Sequence, residues 1–242
     1  MDTTTLRPRV IVALDVENRD RALEIVTLTS PAIGLYKVGS RLFTSEGPAI
    51  VKEIGSRGAS VFLDLKFHDI PATVEGSVRA ATALGVAMMT IHTSGGLEMM
   101  RAAARAASAE SKRLSIVRPI VVGVTVLTSL SKEDLSRTFG TIGTVRDLVL
   151  RLATQAREAG LDGVVASVEE ARPIKDELGE GFKVVTPGIR PTGAAAGDQK
   201  RIATPRAARE AGSDYLVVGR PVIEAPSPRA AAEQILRELE ER

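Results

Sequence analysis

The chain has 242 residues, of which 44% are hydrophobic and 26% are charged, and its formal net charge is +2. These are the proportions of an ordinary globular protein, and a chain of this length can bury enough apolar surface to fold without a metal or disulfide. Cysteine is absent, which excludes disulfides and thiolate metal sites.

Composition also argues against two classes of partner. Aromatic residues make up only 3% of the chain and the charges are dispersed, whereas nucleic-acid-binding surfaces cluster Lys and Arg with aromatics. No apolar run approaches the roughly 20 residues that cross a bilayer, and residues 1–9 carry no apolar signal-peptide stretch. We therefore expect no nucleic-acid partner, no membrane partner and a cytoplasmic location.

Short β-branched runs alternate with longer, Ala-rich amphipathic segments along the whole chain. In chain order, the predicted strands cover residues 10–15, 33–38, 60–66, 86–92, 116–124, 163–166, 183–186 and 214–218. The predicted helices cover residues 19–29, 43–57, 72–84, 97–107, 144–159, 169–178, 205–211 and 228–241. No composition shift or linker marks a boundary, so residues 1–242 are predicted to form one domain.

The repeat pattern predicts the fold class. Strand-then-helix units of about 30 residues are typical of βαβ repeats, and near-continuous apolar strands indicate a parallel sheet covered by helices. Eight such units in a chain near the usual ~250 residues favour an α/β single-domain (β/α)8 TIM barrel. A doubly wound open sheet is the alternative, because periodicity does not show that a sheet closes.

Charged residues follow the first three predicted strands, at the end where barrel enzymes carry their chemistry. Strand one ends in Asp15, strand two in Lys37 and strand three in Asp64-Leu65-Lys66. Residues two apart on a strand share a face, so Asp64 and Lys66 are predicted to point into the barrel and Leu65 toward the helices. Buried charges are rare unless they are paired or functional. A structural ion-pair network and a catalytic array are both open at this point.

Asp69 adds another carboxylate three residues beyond Lys66. Pro71 suits the first turn of a helix, so Asp69 is predicted to lie on a short loop at a helix start. Together the residues form an alternating Lys-Asp-Lys-Asp pattern with Asp15 at its edge, which suits charge stabilisation and proton transfer.

Two Gly/Arg pairs predict a phosphate site. Gly188 and Arg190 follow predicted strand seven, and Gly219 and Arg220 follow strand eight. Barrel enzymes often bind phosphate between these loops, at the start of a short helix. Glycine lets the backbone approach a phosphate, and arginine adds charge-assisted hydrogen bonds. The Gly/Ala-rich connection over residues 188–197 is interpreted as a functional loop.

The string Asp64-Leu65-Lys66-Phe67-His68-Asp69-Ile70-Pro71 closely resembles the signature of bacterial orotidine 5'-phosphate decarboxylases. A wider superfamily shares only the D-x-K-x-x-D core. The resemblance extends through residues 13–15, 36–39, 124–129, 186–191, 197–201 and 218–222. It implies a barrel enzyme of de novo pyrimidine biosynthesis that removes CO2 from orotidine 5'-monophosphate, with no cofactor and no metal.

The resemblance also implies a role for each matching residue. Lys66 would donate a proton to C6 of the pyrimidine, with Asp64 against the substrate carboxylate and Lys37 and Asp69 completing the alternating pattern. The implied substrate contacts are Asp15 and Lys37 to the ribose hydroxyls, Thr128 to the pyrimidine edge, and Arg190, Gln199, Gly219 and Arg220 to the phosphate, with Gln199 in a loop that closes over the ligand. In the family the second Asp of the motif comes from the neighbouring subunit. A homodimer is therefore implied, with Asp69, Ile70 and Thr73 reaching across its interface.

Carboxylate neighbours favour the charged form of Lys66, which donates a proton instead of attacking a carbonyl. His68 and His92 are interpreted as hydrogen-bonded structural residues. One alternative is a metal-dependent sugar-phosphate decarboxylase or hexulose-phosphate synthase of the same superfamily, against which Lys37 and the Gln199 loop argue. The other is a non-catalytic binder of a phosphate ligand, which the complete set of charges disfavours.

Overall fold

The structure is a computed structural model that describes residues 9–30, 32–140, 143–192 and 203–240. Its strands are β1 (Arg9–Ala13), β2 (Leu35–Gly39), β3 (Ser60–Phe67), β4 (Met88–His92), β5 (Ile120–Val124), β6 (Gly163–Val165), β7 (Lys183–Thr186) and β8 (Tyr215–Val218). All pairs are parallel, neighbours pair in chain order, and β8 pairs with β1 to close the barrel. The predicted single-domain (β/α)8 TIM barrel is confirmed, and the open-sheet alternative is wrong.

Helices cover the outside of the barrel. They are α1 (Arg19–Thr29), α2 (Ser40–Glu46), α3 (Ala49–Ser56), α4 (Pro71–Ala83), α5 (Leu97–Leu114), α6 (Lys132–Phe139), α7 (Val145–Glu158), α8 (Val168–Leu178), α9 (Pro205–Glu210), α10 (Arg220–Ile223) and α11 (Pro228–Glu240). In the part of the chain that the structure describes, none of them is long and apolar enough to cross a membrane.

The core has two layers, because successive strand residues point to opposite faces. One face of the strands fills the barrel interior, and the other packs against the helices. The interior cluster includes Ile11, Phe62, Met88, Val122, Val185 and Val217. This interior cluster fills the barrel beneath the cavity described below.

One predicted helix is in fact two. The segment 43–57 is interrupted between α2 and α3, where Gly47 takes a φ of 65° and Pro48 caps α3. A left-handed glycine ends a helix readily, and proline lacks the N–H that a continuing helix needs. The apolar periodicity runs across the break, which is why it predicted a single helix.

The fifth strand is shorter than predicted. The segment 116–124 begins its strand only at Ile120. The preceding helix α5 is longer than predicted, since it continues to Leu114 and ends at Ser115, whose φ is 54°. Pro119 directly precedes β5, at the start of a strand, where proline is tolerated. The helices α6 and α10 were not predicted, since α6 is largely polar and α10 has four residues.

Candidate active site

A cavity of about 550 Å³ opens at the carboxyl end of the barrel. Six strands supply its apolar floor, through Ala13, Phe62, Val124, Val165, Val185 and Val217. Its charged walls come from the ends of β1 to β3 and from the segments after β7 and β8. The charged residues are Asp15, Lys37, Asp64, Lys66, Arg190 and Arg220, together with Arg41 and Glu224 nearer the opening.

Four of these residues form a continuous chain of ion pairs, here called the charged cluster: Asp15, Lys37, Asp64 and Lys66. Lys37 Nζ lies 2.9 Å from Asp15 Oδ1 and 3.5 Å from Asp64 Oδ2. Lys66 Nζ lies 2.9 Å from each oxygen of Asp64. The side chains of Lys37 and Asp64 are 11% exposed, against 34% for Lys66 and 54% for Asp15. The centre of the cluster is therefore buried and both of its ends are accessible from the cavity.

Asp64 is ionised in spite of its burial. Desolvation alone would raise the pKa of its carboxyl, but Lys37, Lys66 and the hydrogen bonds from Lys66 and Thr90 together bring that pKa below its usual value. The site therefore has a fixed negative charge between two ammonium groups. Within the described ranges, no three His, Asp or Glu side chains are grouped as ligands for a metal ion.

The strand that carries Asp64 and Lys66 is irregular at this point. Leu63 pairs with Met89, and the next pair is Phe67 with Ile91. Three residues of β3 therefore lie opposite a single residue of β4 between these two pairs. Lys66 has a φ of 53°, in the left-handed region that a lysine rarely adopts. This β-bulge redirects the side chains of β3 at the rim of the barrel.

Regular alternation is therefore the wrong reason for the shared direction of Asp64 and Lys66, although the prediction itself is confirmed. Their side chains are in contact at the cavity. Leu65 packs with the outer core between barrel and helices, as predicted.

The charges on the first two strands are not at the strand ends. β1 stops at Ala13, two residues before Asp15, and β2 continues two residues past Lys37 to Gly39. The extra residues have a consequence at Gly39, where an added Cβ would lie 3.1 Å from Lys37 Nζ and 3.2 Å from Asp15 Oδ1. Such contacts are tighter than most Cβ contacts, so the glycine leaves room for this ion pair.

The three residues assigned to a subunit interface lie on the surface where β3 leads into α4. Asp69 Oδ1 accepts the backbone N–H of Ile70 at 2.6 Å, and Pro71 begins the helix as predicted. Ile70 is 66% exposed, and Asp69 and Thr73 are exposed as well. Among the described residues, no ion pair joins Asp69 to Lys66, and none of the three lines the cavity. A single chain thus supplies the charged cluster without Asp69.

Three of the four residues predicted to bind phosphate, Arg190, Gly219 and Arg220, line the same cavity. Arg190 is 7% exposed, its Nη1 donates to the carbonyl of Ile189 at 3.0 Å, and its backbone N–H donates to Ala203 O at 2.9 Å. Gly219 and Arg220 lie where β8 passes into α10. The cavity is therefore flanked by arginines beyond the last two strands, as the two Gly/Arg pairs predicted.

Thr128 also lines the cavity, from the segment after β5, and it is half-buried. Gln199 lies outside the described residues.

The two histidines are neighbours at the edge of the site. Their ring centroids are 5.3 Å apart, with the rings tilted by 40°. Burial, followed by the nearby His68 and Lys66, lowers the pKa of His92 below its ordinary value. His92 is therefore neutral at pH 7 and adds no charge to the site.

Thr90 contacts the charged cluster, although nothing in the sequence marked it. It is fully buried on β4, its hydroxyl donates to Asp64 Oδ1 at 3.0 Å, and it accepts the backbone N–H of Lys66 at 2.8 Å. A threonine within an apolar strand carries no pattern that separates this role from ordinary packing. Only the register of β3 against β4 reveals it.

Comparisons with known proteins agree with the geometry. The model of the family described as "Orotidine 5'-phosphate decarboxylase / HUMPS family" matches residues 8–235. The chain is 50% identical over 228 residues to an orotidine 5'-phosphate decarboxylase of Vibrio cholerae, covering 94% of this chain and 96% of the relative. It is 47% identical to the one of Syntrophomonas wolfei, covering 96% of this chain and 98% of that protein.

Among solved structures, the orotidine 5'-phosphate decarboxylase of Lactobacillus acidophilus superposes with a TM-score of 0.86 at 37% identity, over 97% of this chain and all of that one. The match to the family runs through every strand of the barrel and both ends of the cavity. The resemblance seen in the motif thus holds for the whole barrel, and the chain belongs to the orotidine 5'-phosphate decarboxylase / HUMPS family.

Proposed function

We propose that this chain decarboxylates orotidine 5'-monophosphate to uridine 5'-monophosphate in pyrimidine biosynthesis. The observation that carries the proposal is the charged cluster, in which a buried carboxylate and two ammonium groups face a cavity of nucleotide size. The relatives named as orotidine 5'-phosphate decarboxylases support the same substrate. The cytoplasmic location stays a prediction from the sequence.

The cavity suggests how the nucleotide is oriented. Arg190 and Arg220 lie beyond β7 and β8 and would hold the phosphate. Gly219 has no side chain, so the protein backbone at this position can approach the phosphate closely. Asp15, which has the most exposed side chain of the charged cluster, would accept hydrogen bonds from the ribose hydroxyls together with Lys37 as donor. Thr128 would contact the pyrimidine edge, which places C6 over Lys66 and Asp64.

The chemistry would then proceed by charge stabilisation and proton transfer. The bond between C6 and the carboxylate carbon breaks, CO2 leaves, and the electron pair stays at C6 in the plane of the ring. The ammonium of Lys66 stabilises this pair and transfers one proton to C6, which gives the uridine product and a neutral amine that regains a proton from water.

Asp64 would repel the carboxylate of the substrate, and this repulsion is relieved when the carboxylate leaves as neutral CO2. Two negative groups about 4 Å apart interact by roughly 4 kcal/mol at an effective dielectric of 20. Enzymes lower barriers by about 8–23 kcal/mol, so this repulsion is a minor part. Most of the rate enhancement would come from Lys66 and from binding energy of the phosphate used at the reacting end.

The contacts of Asp64 favour this cofactor-free reaction over the metal-dependent alternative. Lys66 donates to both oxygens of the carboxylate, Thr90 donates to one, and Lys37 lies 3.5 Å from the other. A metal ion at this carboxylate would have to displace two cations that the chain already provides.

We further propose that the active unit is a homodimer in which Asp69, Ile70 and Thr73 of one subunit reach the site of the other. Their exposure in the single chain and the apolar character of Ile70 support this assembly. Asp69 would then supply the fourth charge of the alternating pattern.

The test is turnover of orotidine 5'-monophosphate by metal-stripped protein, followed by the loss of ultraviolet absorbance. Lys66→Ala should lower kcat by at least about 100- to 1000-fold, because the charge at the reacting carbon is lost. Its binding of uridine 5'-monophosphate should persist. Lys52→Ala, at an exposed position of α3, is the matched control and should keep wild-type activity. An inactive wild type would refute the substrate, and a fully active Lys66→Ala would refute the role of the lysine.

A further inference from the structure

Thr90 is the only β4 residue between the two pairs that flank the bulge of β3. Paired positions are Leu63 with Met89 and Phe67 with Ile91, so the segment Asp64-Leu65-Lys66 faces this one threonine. A regular ladder would need one partner residue for each. On the β4 side, Thr90 is therefore the residue that lies opposite the irregular part of β3.

The Thr90 hydroxyl accepts the N–H of Lys66 at 2.8 Å. A buried N–H without a partner is costly, and the left-handed φ of 53° at Lys66 is itself unfavourable for a residue with a side chain. The hydroxyl thus stabilises the backbone conformation that directs Lys66 into the cavity.

The same hydroxyl also orients Asp64. A threonine hydroxyl has one proton to donate, and an ionised carboxylate can only accept. The proton goes to Asp64 Oδ1 at 3.0 Å, and the lone pairs receive the Lys66 N–H. The Thr90 hydroxyl oxygen therefore links the backbone of Lys66 to the carboxylate of Asp64, which the Lys66 ammonium also contacts.

The position of Thr90 separates it from the substrate. It is 0% exposed, and it is absent from the cavity lining among the described residues. Its strand neighbours pack tightly, with Met88 in the barrel interior and Val122 beside it on β5. The χ1 angle of a β-branched side chain is restricted, and two hydrogen bonds orient the Thr90 hydroxyl.

We propose that Thr90 is a positioning residue, which sets the distance and direction between Asp64 and Lys66 through its hydroxyl. This role rests on the proposed decarboxylase function. Misplacement of a reacting group by about 1 Å can cost about 100-fold in rate. The effect should therefore fall on kcat, while the binding end of the cavity is unchanged.

Two pairs of variants isolate the hydroxyl. Thr90→Val replaces it with a methyl group, and Thr90→Ala differs from Thr90→Ser only by its absence. Thr90→Val and Thr90→Ala should lower kcat about 10- to 100-fold with KM within about threefold of wild type, whereas Thr90→Ser should stay within about threefold of wild type in kcat. Wild-type kcat in Thr90→Val or Thr90→Ala, or an equal loss in Thr90→Ser, would overturn the proposal. Comparison of Thr90→Ser with Thr90→Ala decides the question if Thr90→Val fails to fold.

A structural control and an activity-independent readout complete the test. Thr82→Val removes another fully buried hydroxyl, which donates to Val78 O at 2.8 Å within α4, and should leave kcat unchanged. Hydrogen exchange of the Lys66 amide should accelerate in Thr90→Val and Thr90→Ala but not in Thr90→Ser. Unchanged exchange of the Lys66 amide in Thr90→Val and Thr90→Ala would refute the link between Thr90 and Lys66, whatever the activity of the protein. An inactive wild type would instead refute the proposed function and leave the exchange result valid.

Discussion

Burial and charge combine differently on Asp64 and His92, two titratable residues whose pKa values Lys66 influences. For Asp64, desolvation would raise the pKa, but Lys37 and Lys66 outweigh it and the pKa falls. For His92, desolvation lowers the pKa, and His68 and Lys66 lower it further. The ammonium of Lys66 therefore favours a charged carboxylate on one side and a neutral imidazole on the other.

The lowered pKa of His92 predicts a pH dependence of stability. Below its ordinary pKa of 6.5, the unfolded chain takes up a proton at His92 that the folded chain does not. The free energy of unfolding should therefore decrease as pH falls below about 6.5, by at most about 1.4 kcal/mol per pH unit from this residue. Urea unfolding of wild type and His92→Gln at pH 7.5, 6.5 and 5.5 should show a shallower decrease in the variant. Parallel curves for the two proteins would contradict this account of His92.

At the scale of elements, two aspartates join neighbouring strands at the end of the barrel opposite the site. Asp162, before β6, donates its N–H to Val121 O at 3.0 Å and accepts the N–H of Val121 on Oδ2 at 2.8 Å. Asp214, before β8, makes the same two bonds to Val184 at 2.9 and 2.7 Å. The repeated pattern holds the register of β5 with β6 and of β7 with β8, and β7 and β8 lead to the predicted phosphate site.

Lys175, which forms an ion pair with Asp214, offers a test of how these contacts stabilise the barrel. Lys175 has a side chain 2% exposed, and its ammonium donates to Asp214 Oδ2 at 2.7 Å and to the carbonyls of Glu180 and Phe182 at 2.9 Å each. Lys175→Met should lower the free energy of unfolding by about 3 kcal/mol, because the Asp214 carboxylate and the carbonyls of Glu180 and Phe182 lose the ammonium that donates to them. Chemical denaturation measures this loss, and kcat of the folded variant should be unchanged.

Lys183→Met is the matched control, since Lys183 lies 3.7 Å from Asp214 Oδ1 with a side chain 32% exposed. A change below about 1 kcal/mol is expected there. Equal losses in the two variants would show that burial of Lys175 has no special weight.

For the whole molecule, the incomplete alternating pattern of charges within one chain is the main consequence of the fold. Asp64 and Lys66 face the cavity, while Asp69 lies exposed at the start of α4. A site that draws Asp69 from a second subunit would make catalysis a property of the assembly. A two-fold interface would then build two such sites at once.

Mixing two inactive variants tests this arrangement. Lys66→Ala and Asp69→Asn should each be nearly inactive alone, but a hybrid dimer contains one site with both residues intact. After denaturation and refolding together in equal amounts, about a quarter of wild-type activity should return, because half of the dimers are hybrids with one working site each. The control mixes Lys66→Ala with Asp64→Asn, both in the same chain's part of the site, and should recover nothing. No recovery in the first mixture would argue against a shared site.

Local patterns in the sequence were sufficient for the order of the eight strands, the closed barrel as the favoured fold and the location of most candidate site residues. Strand and helix periods are local properties, and helix α1 has the predicted bounds of residues 19–29. The charged residues that line the cavity were predictable because barrel chemistry lies after the strands and because the motif around Lys66 is distinctive. Gly47 and Pro48 were visible too, but the apolar period concealed the break that they make.

The contacts among the charged side chains depend on the packing of the strands and do not follow from local sequence. The bulge at Lys66, the clearance at Gly39 and the hydroxyl of Thr90 all depend on contacts between different strands. Thr90 and Asp64 are 26 positions apart in the chain, and no local period relates them. The identity of the charged residues at the carboxyl end of the barrel follows from local sequence. Strand register, set by packing around the whole barrel, determined their distances and directions.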